Sequence, residues 1–281
     1  MNSVTNRHRI LPFTALLGAA CVAGVFLTLP PWPQDPGYHH FADTRTLLDI
    51  PNALNVLTNL AFLFVAIAAF RVRPRLAPGD RLLPVRIFAL GLVLTAIGSG
   101  IYHAFPSDRT LVLDRAGMVV AFMALIAIVI GDYAGTAVHA TLAFAELAGI
   151  ASIAVWIATN DLRLYGVAQF FPPLLLVVLP LFFRSRYTRG ALLFGVFVFY
   201  AIAKACETYD RAIFDALRGA VSGHSLKHLA AAATSGLIVS WIARRELSQC
   251  GHAVAAFKAP TSSAHSESQP TASVSSPATT T

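Results

Sequence analysis

Apolar residues in this chain come in long unbroken runs, without the i, i+3, i+4 spacing of a half-buried helix or the alternation of a strand. Eight such runs, at about residues 10–30, 50–70, 84–103, 113–131, 138–158, 164–183, 190–207 and 223–243, each approach the roughly 20 residues that a helix needs to cross a bilayer. Between them stand residues that stop helices or prefer water, as in "PPWPQDPGYHH", "RVRPRLAPGDR", "HAFPSDR" and "RSRYTR". The pattern predicts an all-α polytopic membrane helix bundle with no second soluble domain.

Composition agrees with that reading: of 281 residues 56% are hydrophobic and only 12% charged, and the mean hydropathy of +0.64 lies outside the range of ordinary soluble domains. The first run follows "NRHR" and continues into "LPPWPQDPGYHH" without a small-x-small cleavage site, which predicts a retained helix, not a signal peptide. A net charge of +7 raises the question of nucleic acid, but the distribution of the charge answers it. Arg7 and Arg9, then Arg71, Arg73, Arg75, Arg81 and Arg86, then Arg184, Arg186 and Arg189, then Arg244, Arg245 and Lys258 fall on alternate connections. The positive-inside rule therefore puts both termini in the cytoplasm, and no nucleic-acid partner is expected. With no organelle signal, a bacterial inner membrane is the expected host. Cys21, Cys206 and Cys250 are too scattered for a disulfide framework or a CxxC metal motif. Residues 246–281, rich in Ser, Thr and Pro, read as a disordered cytoplasmic tail.

Ionisable groups at membrane depth cost roughly 2.5 to 3.5 kcal/mol each on insertion scales, so each needs a partner or a function. In "IGSGIYHAFPSDRTLVLDRAGM", Ser99 and His103 are four residues apart at the outer end of the third run, on one helix face. Pro106 and its short loop make an antiparallel hairpin that returns Asp114 to about the same level. In "SGHSLKHLAAA" the last run begins on the same side, with His224 and His228 one turn apart. Three neutral imidazoles with an open position suit zinc better than magnesium or calcium. Such an ion would activate water for attack on a carbonyl, with Asp114 as proton carrier and Ser99 as a donor to the developing oxyanion. His139 lies on the other side, and His8, His252 and His265 are in tails. His39 and His40 compete as ligands, although interfacial or structural roles suit them better. HxxxH alone is a weak motif; convergence with His103, Ser99 and Asp114 at one depth is what gives it weight.

Together, "SGIYHAFPSDRTLVLD", "HSLKH" and "PNALNVLTNLAF" resemble the alkaline ceramidase family. That family belongs to a superfamily of seven-helix membrane hydrolases that includes the adiponectin and progestin receptor group. The resemblance covers roughly residues 38–245. It implies a seven-helix core plus one extra N-terminal transmembrane helix, so that residues 1–37 form the extra helix and an outer loop, 38–245 the membrane domain and 246–281 the tail. It further implies that His103, His224 and His228 bind zinc and that Ser99 and Asp114 are catalytic. The activity implied is hydrolysis of the ceramide amide to a sphingoid base and a fatty acid, on a lipid substrate within the bilayer. Eukaryotic members also carry an acidic and aromatic calcium cluster ahead of the first core helix. Here "YHHFADTRTLLDIPN" lacks the Asp-Trp pair, leaving Asp43, Asp49 and Asn52 as a partial set of oxygen ligands with Arg45 beside them, so calcium regulation is not expected to carry over. His39, Asp43 and Arg45 are expected instead to form a polar cap over the site.

Asn52, Asn55 and Asn59 read as interhelical glue. Lys204, Glu207 and Asp210 recur three apart, which suggests an internal Lys204–Glu207 pair, or an acid that orients a ligand histidine. Lys227 is expected to leave the shared histidine face and meet lipid headgroups or an acidic partner. The alternatives to an amide hydrolase are a lipid ester hydrolase of the same superfamily, a receptor-like or structural zinc protein, and a transporter. A transporter would spread its ionisable groups through the membrane depth, whereas these gather at one end.

Overall fold

The computed structural model describes residues 7–73, 82–135 and 137–248, so the expected tail from residue 249 onward, and Arg75 and Arg81, lie outside the described residues. The described residues form an all-α bundle without a strand: α1 (Ile10–Thr28), α2 (Ala53–Leu57), α3 (Leu60–Arg71), α4 (Leu83–Ala104), α5 (Asp108–Ala134), α6 (Val138–Thr159), α7 (Arg163–Phe182), α8 (Ala191–Thr208), α9 (Asp210–Ala216) and α10 (Gly223–Arg244). Seven of the helical segments, with α2 and α3 together as one, are long and apolar enough to span a membrane, and the eighth expected span is α8 followed by α9 at an 83° bend. The chain is an integral multi-pass membrane protein.

α5 is the centre of the bundle, touching α1, α4, α6 and α7. Its second half, Met123 to Ala134, is buried on every face, which is why that stretch is apolar all round. Between lipid-embedded helices the hydrophobic effect does not drive association, so close van der Waals approach must. The α4–α5 interface achieves it with glycine. A Cβ at Gly98 would fall 2.3 Å from the Leu113 carbonyl oxygen, and one at Gly117 would fall 2.3 Å from the Thr95 nitrogen. α1 has a different character: it buries only Ile10 and Thr14 and rests on α7 and α5, with Phe13 against Phe182 and Phe183 at ring-centroid distances of 5.5 and 5.3 Å.

Three boundaries differ from the sequence reading. The fourth run becomes a helix from Asp108, capped by Ser107 accepting from the Thr110 N–H at 3.3 Å, so Asp114 lies nearly two turns inside α5 and not at its start. The first core span breaks at Thr58 and Asn59, and the seventh ends at Tyr209, where backbone angles of −103° and 30° turn the chain into α9. At the end of the bundle remote from the histidines, two arginines expected on a basic surface are buried instead. Arg186 donates to the Gly131 carbonyl at 2.6 Å, and Arg245 pairs with Asp132 while stacking on Tyr187 at 4.1 Å. They staple the start of α8 and the end of α10 to α5.

Candidate metal centre

His103 occupies the last turn of α4, and its carbonyl accepts from the Asn52 side-chain amide at 2.8 Å. His224 and His228 occupy the first two turns of α10, whose N-terminus is fixed from three directions. Ser222 caps it by accepting from the Ser225 N–H at 3.1 Å, and Asp210 accepts from the His224 N–H at 2.7 Å. Gly223 lies against the end of α8 so closely that a Cβ would come 2.3 Å from the Cys206 oxygen. The 83° bend after α8 is what delivers Asp210 to this position.

The three imidazoles are buried and offer ligand nitrogens that all lie within 4.8 Å of one another. Their ring centroids form a near-equilateral triangle of 4.7, 4.8 and 5.0 Å. Nε2 of His103 and Nε2 of His224 are 3.2 Å apart, while Nδ1 of His103 and Nε2 of His228 are buried without a hydrogen-bond partner. An orphaned buried nitrogen is costly, and a cation shared among the Nε2 atoms relieves that cost at His228. Thr58 supplies a further argument. Its hydroxyl lies 2.7 Å from the Leu54 carbonyl and 2.9 Å from His228 Nδ1. A hydroxyl has one proton; given to Leu54, it leaves the oxygen to accept from Nδ1–H, which sets the His228 tautomer with a free lone pair on Nε2, facing the cluster. The arrangement can hold a metal ion and suits zinc.

No protein-family model and no curated protein matches the chain.

Ser99 and Asp114 are both buried, Ser99 one turn before His103 on α4 and Asp114 on α5, where the glycine contact holds the two helices together. Lys227 finds the acidic partner that was one of its two expected neighbours, but it does so inside the site. Its side chain is largely buried, and its ammonium donates to Glu207 Oε1 at 2.8 Å and lies 3.5 Å from His224 Nε2. Position i+3 is only about 60° round the helix from His224, and long side chains lean toward the N-terminus, so Lys227 reaches the site. Glu207 also pairs with Lys204 and accepts from the Tyr38 hydroxyl at 2.9 Å. Asp210 orients the backbone of His224 and not its ring, and its second oxygen accepts from the Ala42 N–H at 3.0 Å, tying down the segment that covers the site.

That cover is aromatic where a polar cap was expected. Phe41 lies over His103 and His224 at centroid distances of 4.7 and 5.2 Å. His39 is outside the imidazole cluster, 3.1 Å from the Tyr102 hydroxyl and 3.2 Å from Asp108, and His40 is exposed. Burial and then the charge of Glu207 push the Tyr38 phenol well above its ordinary range, so it remains a donor. Asp43 gives both carboxylate oxygens to Arg45, whose hydrogen bonds hold that carboxyl below its usual range. With Asn52 donating to His103, two of the three residues considered for calcium are already engaged. The asparagines behave differently from one another: Asn55 Oδ1 accepts from Ser222 and Ser225 of the α10 turn at 3.2 and 2.7 Å, whereas Asn59 bonds the Asn55 carbonyl across the helix break at 2.8 Å. Thr58, Phe41 and Tyr38 are the site residues that the sequence reading missed; only the polar "TN" inside an apolar run marks the first of them.

Proposed function

We propose that this protein is a zinc-dependent intramembrane lipid amide hydrolase, ceramidase-like, acting on ceramide or a related N-acyl lipid to release an amine and a fatty acid. The observation that carries the reading is that a buried Ser99 and a buried Asp114, on two helices locked together at Gly98, accompany three converging imidazoles. A metal that merely tied helices together would have no use for that pair. Zinc, when bound by His103, His224 and His228, would polarise the acyl carbonyl and activate water. Asp114 takes the proton from the attacking water and returns it to the leaving amine, a service typically worth about 10² to 10⁴ in rate. Ser99, one turn before His103, offers its hydroxyl to the developing oxyanion. Thr58 holds His228 in the ligating tautomer, and Phe41 keeps bulk water away from the imidazoles. In this reading the termini are cytoplasmic and the site faces the outer leaflet of a bacterial inner membrane, as the arginine distribution supports.

The test is purified protein assayed for free amine on ceramides and other N-acyl lipids of graded chain length, with and without chelator, beside Asp114→Ala and His228→Ala. Turnover that needs both residues and the metal supports the reading. Full activity in the variants, or metal binding with no turnover on any acyl lipid, would sink it, the latter in favour of a receptor-like or structural role.

A further inference from the structure

Next to Asp114 on α5, Arg115 is 5% exposed. Its guanidinium carbon lies 4.3 Å from the ring centroid of Trp156, 4.8 Å from that of Tyr165 and 5.5 Å from that of Tyr38. These rings come from α6, α7 and the covering segment, so three separate elements fix one side chain. The other two buried arginines among the described residues each have an oxygen partner: Arg245 pairs with Asp132, and Arg186 donates to the Gly131 carbonyl. Arg115 takes part in none of the ion pairs among the described residues, and its Nη1 is buried without a hydrogen-bond partner. Asp114, its chain neighbour, forms no ion pair with it, and Glu207 is engaged with Lys204, Lys227 and Tyr38.

Aromatic faces attract a cation but accept none of the five in-plane N–H groups that a guanidinium carries, and a cation–π contact offsets only about 0.5 to 2 kcal/mol. A buried guanidinium that is held rigidly, with its in-plane donors unspent, lacks a planar bidentate acceptor, and a carboxylate is the common group of that shape. Successive residues leave a helix about 100° apart, so Arg115 turns toward α6 and α7 while Asp114 lies next to it on α5, at the contact with Gly98 one residue before Ser99 on α4. A carboxylate at Arg115 is therefore a neighbour of the proposed hydrolytic centre.

We infer that Arg115 is the anchor for the carboxylate of an acyl lipid, carried either by a released fatty acid or by the polar head of an N-acyl amino acid. The inference deepens the hydrolase reading and rests on it for the choice of a lipid, but its test needs no turnover. Full-length protein in phosphatidylcholine nanodiscs is titrated with palmitate, N-palmitoylglycine and the neutral N-palmitoylethanolamine, with and without chelator, for the wild type, Arg115→Gln and Arg115→Lys. At least one of the two carboxylate ligands is expected to bind tenfold or more tighter than the neutral amide, to keep that advantage in chelator, and to lose it in Arg115→Gln. Palmitate alone showing the advantage marks the anchor as a product site; N-palmitoylglycine showing it marks a substrate-head site. Arg115→Lys, which keeps the charge, reports the same difference if the glutamine variant does not fold, with a smaller but measurable advantage expected. An advantage absent from wild type, abolished by chelator, or unchanged in the variants overturns the proposal. Loss of hydrolysis with Arg115-dependent carboxylate binding intact would overturn the hydrolase reading alone.

Discussion

Gly98 is the residue whose replacement separates the geometry of the centre from the stability of the bundle. An alanine Cβ there would lie 2.3 Å from the Leu113 oxygen, 2.6 Å from the Leu113 carbon and 3.1 Å from the Asp114 nitrogen, where ordinary contact begins near 3.4 Å. All three atoms are backbone, so no side chain can rotate away, and α4 and α5 must part by about 1 Å at the level of Ser99 and Asp114. Overpacking of this kind costs about 1 to 3 kcal/mol of stability. A misplacement of about 1 Å at a reacting centre costs on the order of 10² in rate. Two controls come from the same helix. Gly91→Ala makes an equivalent clash, 2.4 Å from the Ala121 nitrogen, about 10 Å further down α4, while a Cβ at Gly100 meets nothing within 4 Å. Melting of the purified variants, zinc affinity and hydrolysis per folded molecule are the measurements. Gly100→Ala is expected to match the wild type, Gly91→Ala to lose stability with little change in turnover per folded molecule, and Gly98→Ala to lose stability together with about 10² in turnover. Equal turnover per folded molecule in Gly98→Ala and Gly91→Ala would refute the claim that the glycine contact sets the Ser99–Asp114 geometry.

Thr58→Val is nearly isosteric but removes the acceptor for His228 Nδ1–H, so zinc affinity is expected to fall about 10- to 100-fold with the fold intact, as read by competition with a chromogenic chelator. Lys227→Met leaves Glu207 with Lys204 and Tyr38, and Glu207→Gln removes the carboxylate that both lysines share; breaking a buried pair from one side costs about 3 to 5 kcal/mol, and the double variant is expected to lose less than the sum in melting experiments. Asp161, in the connection between α6 and α7, is held down to about 2 by its hydrogen bonds to Arg163. A depressed carboxyl stabilises the fold above its unfolded value, and that contribution is lost as pH falls toward about 2; the wild-type melting temperature is thus expected to drop between about pH 4 and 2 more steeply than that of Asp161→Asn.

The helices and the depth of the histidines were legible because lipid imposes two strong constraints, continuous apolar length and expensive ionisable groups. His103, His224 and His228 could be brought to one level from the turn at Pro106 and the start of the last run alone. The missing parts depend on tertiary contacts. No proline or glycine marks the break at Thr58 or the bend at Tyr209, yet these place the threonine that sets a tautomer and the aspartate that caps α10. An acidic partner for Lys227 was legible, but its reach into the site was not, because the helical wheel was read for Cβ directions alone, whereas a four-carbon stem on α10 reaches Glu207 at the end of α8. Phe41 sits in a segment without periodicity, and only the Asp210 bond to Ala42 puts its ring over the imidazoles. Arg115 reads in sequence as an ordinary neighbour to Asp114; the box around it draws on three elements distant in the chain.

The most direct test of the account is the zinc content of the protein purified in detergent without added metal, by elemental analysis, for the wild type and for His103→Ala, His224→Ala and His228→Ala, with His39→Ala as control. The account predicts about one zinc per chain in the wild type and the control, and a loss of most of it in each of the other three. Zinc absent from wild-type protein even after reconstitution, or retained in full by the three variants, would contradict it.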